Sequence, residues 1–156
     1  MTLPPMARPL AAAGVLFRDG RGRVLLVTPT YKPSLEIPGG LVEPDETPYQ
    51  AAVREVEEEL GVRPPIGGLL VVDWAPHPAH GDKVLFIFDG GVLDVSWRAR
   101  ITPDGEEISE AQFVETSCLS DVLIDRLARR VHAAVKAQEA GTPRYLENGT
   151  SIGWSS

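Results

Sequence analysis

Residues 40–62, GLVEPDETPYQAAVREVEEELGV, contain the start, the body and the end of one helix, and no other segment constrains the fold as strongly. Thr47 predicts an N-cap, Pro48 suits the first helical position, and Gln50 completes a Thr-x-x-Gln capping box. Gly61 predicts the end of the helix, because glycine readily adopts the left-handed conformation found there. The sequence therefore predicts one helix with well-defined ends.

The predicted helix has two distinct faces, since successive side chains are rotated by about 100°. The apolar face, which should pack on the rest of the domain, consists of Tyr49, Ala52, Val53, Val56 and Leu60. A second face carries three glutamates: Glu55, Glu58 and Glu59. Their charges repel one another unless a cation lies among them, and Arg54 lies one turn before Glu58 and can hold it in place. Carboxylate oxygens suit Mg²⁺ or Mn²⁺, so this face is a candidate metal site.

The glutamates alone are weak evidence for a metal, because Glu-rich helix faces are commonly no more than solvated surface. The complete string is more specific. At the spacing of the Nudix box, and with no position missing, it contains Gly40, Glu46, Arg54, Glu55, Glu58, Glu59 and Gly61. Residues 37–40, Ile-Pro-Gly-Gly, also resemble the strand end that leads into that box. The segment therefore resembles the MutT-like Nudix hydrolases, whereas residues 1–8 and 140–156 show no resemblance.

This resemblance implies an enzyme that splits a phosphoanhydride bond in a nucleoside diphosphate linked to a second moiety, a small-molecule substrate. It implies that Glu58 and Glu59 bind Mg²⁺ or Mn²⁺ together with the carbonyl group of Gly40. Glycine makes physical sense at positions 39 and 40, because a Cβ atom would intrude where the backbone approaches a metal closely. The substrate itself stays open, since specificity comes from loops outside the box: residues 29–34, 75–82 and 90–105.

The resemblance leaves the general base open. Glu55 either binds the metal or serves as the base, while Glu46 and Arg54 support the cluster. Some members of the family use a glutamate from a loop beyond the box instead. In this chain Glu110 is the favoured candidate for that role, and Glu107 is the next.

The rest of the chain fits one domain, residues 1–156, in which residues 1–8 and 141–156 are expected to be flexible or peripheral tails. Apolar runs and turn signals predict strands at 10–17, 23–28, 34–37, 67–74, 83–88 and 107–114. Helical periodicity predicts a second long helix over residues 119–140. Strands interleaved with helices indicate an α/β protein. The resemblance specifies a Nudix-type α/β/α sandwich with a mixed sheet and the catalytic helix in the box.

A formal net charge of −7 argues against binding to a nucleic-acid polymer, because phosphate affinity normally comes from a basic face. It does not exclude a small phosphorylated substrate bound through a metal. Candidates for direct contact with that substrate are Gly39, Arg18, Arg23, Lys32 and Lys83, and Tyr31 or Trp74 for stacking on a base. The alternative for each cation is a solubilising surface role, and for each aromatic a place in the core.

The remaining features bear on location and on alternatives. The lone cysteine, Cys118, fits a reducing cytoplasm, and no apolar run approaches the roughly 18 residues of a membrane helix. A homodimer stays open, since dimers are frequent in the family. His77 and His80 are three residues apart on a loop, which is weak evidence for a metal site. The alternative function is a Nudix-fold sensor that binds a nucleotide metabolite without turnover, but the intact box favours the enzyme.

Overall fold

The structure, a computed structural model, describes residues 2–153. The strands are β1 (Leu10–Arg18), β2 (Val24–Pro29), β3 (Gly39–Leu41), β4 (Leu69–Ala75), β5 (Lys83–Val92), β6 (Ile108–Val114), β7 (Arg144–Glu147) and β8 (Thr150–Ser151). The helices are α1 (Pro48–Leu60), α2 (Val95–Ala99), α3 (Leu119–Val122) and α4 (Asp125–Ala140), and a 3₁₀ turn spans Thr116–Cys118. Within this part of the chain, no helix is long and apolar enough to cross a membrane.

The strands form one mixed sheet in the order β6-β2-β1-β5-β4-β7-β8, and β3 also pairs with β1. The β1–β5 and β4–β7 pairs are parallel, and the other pairs are antiparallel. Side chains alternate between the two faces of the sheet. Leu16 of β1 packs in the cluster that contains α4, whereas Val15 and Phe17 pack in the cluster that contains α1. The helices therefore cover opposite faces, and the predicted α/β/α sandwich with a mixed sheet is confirmed.

Helix α1 begins and ends where the sequence predicts. The Thr47 side chain accepts a hydrogen bond from the Gln50 N–H at 3.1 Å, and the Thr47 N–H donates to the Gln50 side chain at 2.9 Å. Gly61 ends the helix in the left-handed conformation, with φ of 70°. Tyr49 of the predicted apolar face is 43% exposed but still contacts the rest of the domain. Its hydroxyl donates to the Ile66 carbonyl at 2.6 Å, and its ring packs edge-to-face on Phe88 with ring centroids 5.4 Å apart.

The predicted helix over residues 119–140 is interrupted. Leu123 and Ile124 are extended and separate α3 from α4. In a continuous helix the Val122 carbonyl would accept a hydrogen bond four residues later in the chain. Here it accepts one from the Leu35 N–H at 3.2 Å, while Leu123 is buried in the core. Residues 34–37, predicted as a strand, make only an isolated bridge between Val27 and Glu36.

The segment assigned to a C-terminal tail contains two strands of the sheet. β7 pairs in parallel with β4, and Leu146 is fully buried. The Gly149 N–H donates to the buried Asp73 carboxylate at 3.1 Å, and Arg130 donates to the same carboxylate at 2.6 Å. The tail prediction is therefore wrong for residues 144–151, because these contacts bind the segment to the fold. Residues 154–156 lie outside the described part of the chain, and residues 2–8 are exposed and irregular.

Candidate active site

The candidate site lies where strand β3 meets helix α1. Gly39 and Gly40 are held there by β1, in register with Gly14 and Ala13. A Cβ atom on Gly39 would collide with the carbonyl oxygen of Ala13, and one on Gly40 would lie 2.5 Å from a carboxylate oxygen of Glu55. Both positions therefore require glycine for space, and Gly40 allows the Glu55 carboxylate to lie directly against the backbone.

Arg54 connects three glutamates of the box. Its guanidinium donates to both carboxylate oxygens of Glu46, at 2.7 and 2.9 Å. It also donates to Glu55 at 2.9 Å and to Glu58 at 3.2 Å. The predicted contact with Glu58 is present, but the two-point contact with Glu46 is the stronger one. These hydrogen bonds from Arg54 lower the pKa of the Glu46 carboxyl to about 2. Glu46 is thus held as a carboxylate that keeps the arginine in place.

Glu55 and Glu59 are buried carboxylates, 9% and 5% exposed. Burial raises the pKa of Glu59 to about 9, and the neighbouring charge of Glu55 adds to this, while a hydrogen bond from the Gly39 N–H at 3.3 Å opposes it. Burial also raises the pKa of Glu55, with Arg54 acting in the opposite direction. The guanidinium of Arg54 alone supplies too little positive charge to balance the carboxylates of Glu55 and Glu59. The buried oxygens beside the bare glycine backbone fit a hard divalent cation, which would supply the missing charge.

The predicted set of metal ligands is not assembled in this conformation. Among residues 2–153, no three His, Cys, Asp or Glu side chains are arranged so as to hold a metal ion. The side chain of Glu58 is 55% exposed and accepts a hydrogen bond from Arg54 at 3.2 Å. Glu55 and Glu59, in contrast, lie against the backbone of Gly40 and Gly39.

The two loop glutamates lie on different sides of the sheet edge. The charge of Glu107 acts on Glu55 and contributes to its raised pKa, after burial and the charge of Glu58. Glu110 is exposed on β6, next to Ala111, which packs in the core on the α1 side. Alternation along the strand therefore turns Glu110 away from α1. Glu107 therefore acts on one carboxylate of α1, that of Glu55, whereas Glu110, the candidate that the sequence favoured, is turned away from this helix.

A pocket of about 240 Å³ adjoins the glycine pair on the α4 side of the sheet. The predicted residues Gly39, Lys32 and Lys83 line it. Arg126 and Arg130 of α4 also line it, and neither was predicted from the sequence. Local sequence gave no signal for them, since only the break before α4 and the packing of that helix bring them to the pocket.

Other predicted contact residues lie elsewhere. The side chain of Arg23 pairs with the buried Asp19 at 2.7 Å at the β1–β2 turn, where it stabilises the hairpin. Arg18 pairs with Glu139 at 3.1 Å. Neither arginine lines the pocket, so neither is placed to contact a substrate there. Tyr31 is 70% exposed. Desolvation raises the pKa of its hydroxyl, and the nearby charges of Glu36 and Glu59 add to this increase. Its ring is thus accessible for stacking.

Comparison with protein families gives one match that covers most of the chain. The family model of the NUDIX domain matches residues 8–134. An ADP-ribose pyrophosphatase of Methanocaldococcus jannaschii is 31% identical over 124 residues, which is 74% of this chain and 67% of that protein. The human diphosphoinositol polyphosphate phosphohydrolase 3-alpha is 51% identical over 63 residues, or 39% of this chain and 38% of that protein. The chain thus aligns with less than half of the human relative.

Solved structures show the same fold at low sequence identity. A UDP-X diphosphatase superposes with a TM-score of 0.73 and 21% identity, over 92% of this chain and 69% of that one. The MutT protein from Methanosarcina mazei Go1 superposes with a TM-score of 0.67 and 20% identity, over 88% of this chain and 99% of that one.

Proposed function

The chain belongs to the Nudix hydrolase family, and from this membership we propose that it hydrolyses a phosphoanhydride bond in a nucleoside diphosphate linked to a second moiety, with Mg²⁺ or Mn²⁺. The observation that carries the proposal is the pair of buried carboxylates, Glu55 and Glu59, packed against the bare backbone of Gly39 and Gly40. The name of the archaeal relative, an ADP-ribose pyrophosphatase, supports this class of substrate.

Each residue of the site has a defined task in this proposal. A bound divalent cation supplies charge neutralisation at the diphosphate and activates the attacking water. Glu55, Glu59 and the Gly40 carbonyl would hold it, and Glu58 would join them. Arg54 keeps Glu55 oriented through a hydrogen bond of 2.9 Å, and its contacts with Glu46 fix the arginine in turn.

We assign the general base to Glu107 in preference to Glu110, with Glu55 as the alternative, because the charge of Glu107 acts on the buried Glu55 whereas Glu110 is turned away from α1. Glu107→Gln should lower turnover by roughly 10² to 10⁴ and flatten the acidic limb of the pH profile. The Mg²⁺ concentration that gives half-maximal rate should stay unchanged, whereas Glu55→Gln should raise it. Glu110→Gln is the matched control and should behave as wild type. A dead Glu55→Gln variant beside an unaffected Glu107→Gln variant would place the base on α1.

To test the proposed hydrolytic activity, the purified protein is incubated with Mg²⁺ or Mn²⁺ and a panel of nucleoside diphosphate derivatives, and the products are separated by chromatography. Two phosphorylated fragments from at least one derivative are expected. Glu59→Gln should reduce turnover at least a hundredfold, while Glu57→Gln, on the exposed side of the same helix, should retain it. Binding of a nucleotide without any product across the panel would instead support a sensor. Cytoplasmic location and homodimer formation stay predictions from the sequence.

A further inference from the structure

The pocket beside the glycine pair has an excess of positive charge. Four cationic side chains line it: Lys32, Lys83, Arg126 and Arg130. Two of them are paired with carboxylates of the protein, since Lys32 pairs with Glu36 at the surface and Arg130 pairs with the buried Asp73.

Lys83 and Arg126 are not neutralised in this way. Among the described residues, neither side chain forms an ion pair with a carboxylate. Both are half-buried, so their charges are less screened than those of fully exposed surface cations. Two unpaired cations in one concave wall repel each other, and an anion between them would relieve that repulsion.

Lys83 and Arg126 both act on the side chain of His77. Its ring lines the pocket and stacks on His80, with the ring centres 4.7 Å apart. The pKa of His77 is lowered, first by desolvation and then by His80, Lys83 and Arg126. Side chains from β5 and from α4 thus direct positive potential at one point of the pocket wall.

This point lies away from the candidate metal site. Along β1, Gly40 is in register with Ala13, whereas Lys83 is in register with Leu10. Three residues of a strand span about 10 Å. A diphosphate held beside Gly40 would therefore leave Lys83 and Arg126 to contact a more distant part of the same molecule.

We propose that Lys83 and Arg126 form a subsite for a second anionic group, a phosphate or a carboxylate, carried by the moiety X that is linked to the nucleoside diphosphate. This inference rests on the proposed function and specifies its substrate class. The enzyme then prefers a nucleoside diphosphate derivative whose X moiety is itself anionic over the neutral analogue.

Matched substrate pairs test the subsite. UDP-glucuronate and UDP-glucose differ at X by one carboxylate, and ADP-ribose 1″-phosphate and ADP-ribose differ at X by one phosphate. In at least one pair, the wild-type kcat/KM should be tenfold or more higher for the anionic member. ADP-ribose 2′-phosphate, whose extra phosphate is on the nucleoside side, should show no such preference over ADP-ribose.

Lys83→Met and Arg126→Met should each reduce the preference at least fivefold, since methionine keeps an apolar stem and removes the charge. Lys136→Met is the matched control, because Lys136 is an exposed cation of α4 outside the pocket, and its preference should stay within twofold of wild type. Equal kcat/KM values within both pairs overturn the inference. So do equal preferences in the pocket variants and wild type.

A second measurement separates this inference from the proposed function. Inorganic pyrophosphate is titrated calorimetrically into the metal-free protein in EDTA, where the glutamates of α1 cannot attract an anion. The Kd should rise at least fivefold in Lys83→Met and in Arg126→Met, and stay unchanged in Lys136→Met. If no substrate of the panel is hydrolysed but this pattern holds, the proposed function fails and the anion subsite stands. An identical Kd in all four proteins contradicts the subsite.

Discussion

Replacing Glu59 with glutamine should stabilise the metal-free protein at pH 8 and have little effect at pH 5. The Glu59 side chain is 5% exposed, and burial raises its pKa from an ordinary 4.5 to about 9. In the unfolded chain the same carboxyl ionises near its ordinary value. Since the folded pKa is the higher one, stability falls as pH rises from about 4.5 toward 9. Glutamine removes this pH-dependent loss and can still accept the Gly39 hydrogen bond.

The magnitude follows from the pKa difference. Between the ordinary value of 4.5 and pH 8 lie 3.5 pH units, and each unit corresponds to about 1.4 kcal/mol, so the upper bound is about 5 kcal/mol. Water penetration and local relaxation reduce this, and we expect a gain of about 1 to 3 kcal/mol at pH 8. At pH 5 the difference should be below about 1 kcal/mol.

Urea unfolding of the wild type and the variant in EDTA, at both pH values, measures this gain. Glu58→Gln is the control, because its side chain is 55% exposed, and it should change stability little at either pH. With Mg²⁺ at pH 8, the wild type should be stabilised and Glu59→Gln should not, which reverses the order. If Glu59→Gln is less stable than wild type by the same amount at both pH values, the carboxylate carries no burial cost and the reasoning is refuted.

Two other substitutions test the support of the site. Gly40→Ala would place a Cβ atom 2.5 Å from a carboxylate oxygen of Glu55, so turnover should fall at least tenfold. The melting temperature should fall little, because the displaced carboxylate can turn toward solvent. A fully active variant would show that the close approach of Glu55 to the backbone is dispensable. Arg54→Met should return the pKa of Glu46 from about 2 toward its ordinary 4.5, which acid titration followed by NMR would detect. In the wild type this lowered pKa stabilises the folded state above pH 4.5, and the stabilisation is lost as pH falls toward 2. The Arg54→Met variant should lack this stabilisation.

The parts of the structure that the sequence predicted depend on local signals. The ends of α1 follow from Thr47, Gln50 and Gly61, whose hydrogen bonds and backbone conformation involve only neighbouring residues. The spacing of the Nudix box likewise placed Glu55 and Glu59 on one side of this helix. Because these interactions are contained within a few turns of chain, a reading of the sequence can recover them.

The parts that the sequence did not predict depend on distant contacts. The break before α4 forms because the Leu35 N–H donates a hydrogen bond to the Val122 carbonyl, a contact across 87 positions of the chain. Glu107 and Glu110 could not be ranked from spacing, since the pairing of β6 with β2 contains a register shift between Thr28 and Pro29. The Asn148-Gly149 pair, by contrast, is a local hairpin signal in the sequence, and it joins β7 to β8.

Binding of Mn²⁺ shows whether the buried glutamates of α1 beside Gly40 form a divalent metal site. Electron paramagnetic resonance measures free Mn²⁺ during titration of the wild type, Glu59→Gln and Glu57→Gln at pH 8. We expect saturable binding to the wild type, at least tenfold weaker binding to Glu59→Gln, and wild-type affinity in Glu57→Gln, whose side chain is exposed and pairs with Arg63. Equal Mn²⁺ affinity in all three proteins would contradict this expectation.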